Sequence, residues 1–251
     1  MRPSYWTIAC DSKFDCMNIL ILGASSQIGH QLALSFSSNN ALVILGRNKD
    51  ILDTVASDCL GAGAQSVDCI VQDMAAGADL LMQAMGDRQF DLVINLVAST
   101  SRVKDSEFLP SQLEAYLMSD LLVPVQLLQQ LIENSSKPLK IIFVSSVLAD
   151  VQSPDRLLYG ALKSLQEICL RKFTDGGQKN KLLVVKVGKV VSHEQPSDES
   201  RRLAAAIYEA HLLDKKVLNY GMMGRVYLLL FYAQPMIFRL IVELQRLLRG
   251  A

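Results

Sequence analysis

The stretch NILILGASSQIGHQLALSFSS, residues 18–38, decides the fold. Its first part, Ile19 to Leu22, is apolar without alternation, the pattern of a strand buried on both faces. Gly23 permits a tight exit from that strand, and Ser25 and Ser26 offer hydroxyls. Gln27 and Ile28 open a helical pattern, and Gly29 lets the new helix approach the sheet closely. A helix that starts directly after a strand presents unpaired N–H groups and a partial positive charge. The turn therefore has the make-up of a cradle for a pyrophosphate.

The same unit recurs along the chain. Apolar runs at 41–46, 66–71, 91–98, 139–146, 181–188 and 215–220 read as strands. Amphipathic patterns at 27–38, 48–60, 76–87, 110–135 and 156–173 read as helices between them. Alternation of this kind predicts an α/β fold: a doubly wound, mostly parallel sheet with helices on both faces. Ligands of such sheets lie beyond the carboxyl ends of the strands. The predicted organisation is an extension over 1–16, one domain over 17–220 that binds the ligand and carries the chemistry, and an apolar helical segment over 221–251.

Bulk properties narrow the function. The chain has 251 residues, half of them hydrophobic, which excludes a disordered or fibrous protein. Lys plus Arg balance Asp plus Glu at 25 each, so no overall field points to nucleic acid. The five cysteines form no C-x-x-C pair and have no histidine at ligand spacing; neither a metal site nor a disulfide framework is expected. Asp11, Lys13 and Asp15 interrupt the N-terminal apolar residues, so a secretory signal is not expected and a cytoplasmic location is.

Two further stretches carry chemistry. The second strand ends VILGRN, with Gly46 and Arg47 where an acidic residue would hold the ribose 2′-hydroxyl of NAD. An arginine there suits the additional phosphate of NADP, because its planar fork pairs with phosphate bidentately. In LLYGALKS, residues 157–164, Tyr159 precedes Lys163 by four positions, which places both on one helix face.

Taken in order, GASSQIG, GRN, Asp73 after the third strand, INLVA, FVSSV and YGALK resemble the short-chain dehydrogenases/reductases over about residues 17–192. Ser146 lies 13 positions before Tyr159, the interval usual in that family. The resemblance implies a Rossmann-like fold, an oxidoreductase acting on CH–OH groups, and NADP as cofactor, with NAD the alternative. It implies a catalytic set of Ser146, Tyr159 and Lys163. It also implies cofactor contacts at Gly23, Ser25, Ser26, Gln27, Ile28, Gly29, Arg47, Asp73, Asn95, Ala98, Tyr159, Lys163, Val187 and Gly188, and a homo-oligomer.

The sequence departs from the family pattern at three places. Gln27 replaces the central glycine of the phosphate turn, NLVA replaces the usual NAG, and Asp120 stands where an asparagine often anchors a relay water. For Asp120 the alternative expectation is a helix-kink or surface role. Beyond the sixth strand, VYLLLFYAQPMIF (226–238) lies between Arg225 and Arg239, followed by Arg246 and Arg249. Its length is too short to span a bilayer, and its basic flanks suit peripheral contact with the inner membrane face; the alternatives are an apolar cover for the domain or a dimer contact. Gln27, GKVVSH (188–193) and FRL (238–240) add a more diffuse resemblance to the reductase of decaprenylphosphoryl-ribose epimerisation. That similarity implies a small-molecule ketone or keto-sugar, lipid-linked in one version, and a place in polysaccharide biosynthesis. Two other readings are a sugar-nucleotide epimerase or dehydratase, and a sensor or scaffold that binds NADP without turnover.

Overall fold

Among the described residues, seven parallel strands form one sheet in the order β3-β2-β1-β4-β5-β6-β7. They are β1 (Asn18–Leu22), β2 (Ala41–Gly46), β3 (Ser66–Val71), β4 (Leu92–Asn95), β5 (Lys140–Ser146), β6 (Lys181–Val187) and β7 (Val217–Tyr220). The computed structural model describes residues 16–98, 104, 109–151, 153–175, 179–188 and 197–221. The extension before Cys16 and the apolar segment expected at 226–238 lie outside the described residues.

Helices cover both faces, as non-alternating strands require. Helices α1 (Gln27–Ser35), α2 (Lys49–Gly61) and α7 (Asp198–Leu212) bury Leu32, Leu52, Val55, Leu203 and Ile207 against Ile19, Ile21 and Ile44. On the other face α3 (Ala78–Met85), α5 (Val123–Glu133) and α6 (Leu157–Asp175) bury Leu81, Leu127 and Leu170 against Leu20, Leu22 and Phe143. Ile19 to Leu22 are fully buried, and each such aliphatic side chain contributes roughly 1.5–3 kcal/mol over its exposed state. The numbering reverses direction between β1 and β4, and the crevice above that point is where open α/β sheets hold ligands.

β3 spans its expected residues, β4 and the helix at 110–135 differ in extent from the sequence expectation, and α7 has no counterpart among the expected helices. β3 is an edge strand, and its exposed residues alternate poorly because only β2 covers one side. β4 stops at Asn95, three residues short of the apolar run's end, so Leu96–Ala98 leave the sheet at its carboxyl end. The single helix expected at 110–135 is interrupted. A short helix α4 (Leu113–Leu117) passes into a π turn at Met118–Leu122 before α5, which carries Pro124 in its first turn. Proline cannot donate to the carbonyl one turn back, so the ladder locally widens there.

At the far end of the sheet, His211 of α7 packs edge-on against Phe36 with its Nδ1 buried and unpartnered. Burial, and then the Lys140 ammonium, lower its pKa to about 4, with Asp214 opposing. The folded value lies below the unfolded one near ~6.5, so the group's contribution is complete above pH 6.5 and is lost as pH falls toward 4. The urea midpoint of the wild type should fall across that window more than that of His211→Gln; equal falls would contradict this role.

Candidate active site

Every sequence-identified residue at the glycine turn lies at the carboxyl end of β1. Gly23 adopts φ +89°, a conformation that side chains rarely take. Ser26 is the N-cap of α1: its Oγ accepts from Gly29 N at 3.0 Å and donates to Gly23 O at 2.9 Å. The turn is thereby closed on itself, with Gln27 and Ile28 as the first helical residues. A Cβ on Gly29 would sit 2.5 Å from Gly23 O and 2.8 Å from Ala24 Cα. A Cβ on Gly46, at the end of β2, would sit 2.8 Å from Ser25 Oγ. Both glycines keep backbone close to the helix N-terminus, where a pyrophosphate would be received.

Arg47 follows Gly46 at the rim. Its Nη1 is 3.6 Å from Asp73 Oδ2, both side chains being largely exposed. Asp73 also caps the short turn after β3 by accepting from Ala75 N. An exposed pair of this kind is worth at most ~1 kcal/mol, so a phosphate can displace the carboxylate from the guanidinium. Asn95, fully buried, uses Oδ1 to accept from Val97 N at 3.0 Å, while its Nδ2 has no hydrogen-bond partner. Ala98 ends the described part of the segment after β4. Val187 and Gly188 close β6 at the other side of the crevice. A closed glycine turn, an exposed arginine and an orphaned buried amide together fit a dinucleotide laid across the strand ends.

The catalytic candidates converge from two elements. Ser146 ends β5 and accepts from Leu148 N at 3.2 Å, which starts the following turn. Tyr159 and Lys163 lie one turn apart on α6. Ser146 stands close enough to the Tyr159 hydroxyl to lower its pKa. Gly160 makes this approach possible, because a Cβ there would collide with Leu148 O. Lys163 is 2% exposed; its Nζ donates to Val97 O at 2.9 Å and Val144 O at 3.0 Å and lies 4.7 Å from the Phe143 ring centre. One ammonium thus ties the ends of β4 and β5 and keeps a third N–H for a ligand.

The electrostatics differ from the simple picture of a lysine lowering its neighbour's pKa. Burial raises the Tyr159 pKa most, Ser146 opposes this, Asp120 raises it further and Arg156 lowers it. The phenol is therefore a held proton donor. Burial lowers Lys163 to about 8, against the pull of Asp120 and Glu167. At neutral pH it stays mainly charged. Asp120 is 2% exposed within the π turn, which overturns the surface alternative for it. Its carboxylate accepts from Ser119 Oγ at 3.1 Å.

Comparison with known proteins gives concordant findings. A family model described as short chain dehydrogenase matches residues 17–188. A hydroxysteroid 11-beta-dehydrogenase 1-like protein of Danio rerio is 29% identical over 177 residues, covering 67% of this chain. The chain spans 59% of that relative's length. Among solved structures, a bulky-bulky ketone specific alcohol dehydrogenase of Comamonas testosteroni superposes with a TM-score of 0.71 at 18% identity, over 89% of this chain and 94% of the other. A short-chain dehydrogenase of Sphingobium yanoikuyae in complex with NADPH gives 0.68 at 18% identity, over 88% of this chain and 95% of the other.

Proposed function

Because this chain belongs to the short-chain dehydrogenase family, we propose that it is an NADP-dependent reductase of a ketone, acting on a keto-sugar or comparable carbonyl. The family match supports oxidation and reduction at an alcohol or ketone group. One observation carries it: the Tyr159 phenol on α6 faces the strand-end Ser146, with the buried Lys163 ammonium one turn away, beside a glycine turn suited to a dinucleotide.

When bound, the nicotinamide supplies the hydride. Tyr159 gives its proton to the carbonyl oxygen as negative charge develops there, and takes it back in the oxidative direction. Ser146 donates a hydrogen bond to the same oxygen and fixes its position. Lys163 keeps a positive charge one turn from the phenol, so the phenolate left after proton transfer is not stranded in a buried site. Its remaining N–H suits a ribose hydroxyl. Arg47 would hold the 2′-phosphate, and the α1 N-terminus the pyrophosphate.

The experiment measures oxidation of NADPH and NADH with a panel of ketones and keto-sugars. NADPH should be preferred, and Arg47→Ser should lower kcat/KM for NADPH by about tenfold or more while leaving NADH little changed, since a charge-assisted contact is worth ~1.5–3 kcal/mol. A wild-type preference for NADH, or an unaltered ratio in the variant, would overturn the NADP assignment.

A further inference from the structure

One buried carboxylate joins the elements that carry the site. Glu167 lies on α6, one turn beyond Lys163. Its Oε1 is 2.6 Å from Lys186 Nζ of β6 and accepts from Ser145 Oγ of β5 at 2.5 Å. Ser145 directly precedes Ser146, and Lys186 directly precedes Val187. These two residues are also register partners across β5 and β6, so their side chains share the sheet face that α6 covers. Lys186 reaches Asp150 at 2.9 Å as well, in the turn that Ser146 starts. Glu167 and Lys186 are 7% and 5% exposed, and the group meets solvent through the half-exposed Arg171, 3.8 Å from Oε2, and the partly exposed Asp150.

A fully apolar core would serve β6 as well or better, since a buried ion pair is a poor source of stability. Such a pair does enforce one geometry, because neither charge tolerates a shift that leaves it unpaired. We propose that Glu167, held by Lys186, is a positioning residue that fixes β5, β6 and α6 so that Ser146, Tyr159 and Lys163 meet and Lys163 keeps its proton. The consequence for catalysis rests on the hydride-transfer reading; the test does not.

Charged and titratable groups around Lys163 are Tyr159 and Glu167 on its own helix and Asp120 on the π turn. Lys186 and Asp150 stand behind Glu167, and Arg156 acts on Tyr159. Asp120 and Glu167 favour the charged form of Lys163 against its burial. Without Glu167 the ammonium faces burial with Asp120 alone.

The full-length protein is labelled with 13C-lysine, the Lys163 Cε signal is assigned by its loss in Lys163→Met, and its titration is followed by NMR with no cofactor or substrate. The wild-type midpoint is expected at about 8. In Glu167→Gln it should fall by about half a unit or more. Glu167→Asp, which restores the charge, should return it toward the wild-type value. If Glu167→Gln does not fold, the neutral pair Glu167→Leu/Lys186→Met removes both charges at once. Lys163 should then still titrate lower, because it feels Glu167 across one helical turn and Lys186 only behind it. A wild-type midpoint retained in whichever of these variants folds would overturn the proposal. The midpoint is read from an inactive protein as readily as from an active one, so failure here is distinct from failure of the reductase reading.

Discussion

Tyr159→Phe should lower kcat by about a thousandfold, within the ~10²–10⁴ range for loss of general acid catalysis, while NADPH still binds. The substitution removes one oxygen and leaves the ring that α6 packs beside Ser146. Burial and Asp120 hold the phenol protonated, which suits it to give a proton to an oxygen that becomes alkoxide. Water cannot substitute efficiently, since the site's groups must be oriented before charge develops. Steady-state kinetics paired with fluorescence titration of NADPH checks both halves. Full activity in the variant would remove Tyr159 from the mechanism.

Gly29→Ala should weaken NADPH binding by about tenfold or more and lower thermal stability, because overpacking of this kind costs ~1–3 kcal/mol. Its Cβ would meet Gly23 O at 2.5 Å and Ala24 Cα at 2.8 Å, which are backbone atoms with no rotamer to give way. Gly23 O is also the acceptor of Ser26 Oγ, so displacing it loosens the cap that shapes the turn. Tyr159→Phe should thus bind without turning over, and Gly29→Ala should fail at binding. NADPH titration of each variant beside the wild type checks this; unaltered affinity in Gly29→Ala would place the pyrophosphate elsewhere.

Much of this was legible from local rules. Non-alternating runs such as Ile19–Leu22 gave the buried parallel strands, and the glycine turn gave their ligand end. The interval from Ser146 to Tyr159 and the helical spacing to Lys163 pointed to residues the fold brings together. Tertiary effects were harder to see. Pro124 marks a break in the helical ladder, but nothing local shows that the resulting π turn at Met118–Leu122 buries Asp120. The Glu167, Lys186 and Ser145 group was missed, although one signal was present: Lys186 is a lone charge inside the apolar run of a central strand, and such a charge requires a buried partner. Its partner lies on another element, at a distance in sequence that periodicity does not reach.

The most direct measurement is a crystal structure of the protein with NADP bound. The expected density is a pyrophosphate at the turn of Gly23 to Gly29, the 2′-phosphate against Arg47, and the nicotinamide beside Tyr159, Lys163 and Ser146. A dinucleotide bound at any other face, or a nicotinamide held away from the Tyr159 hydroxyl, would contradict it.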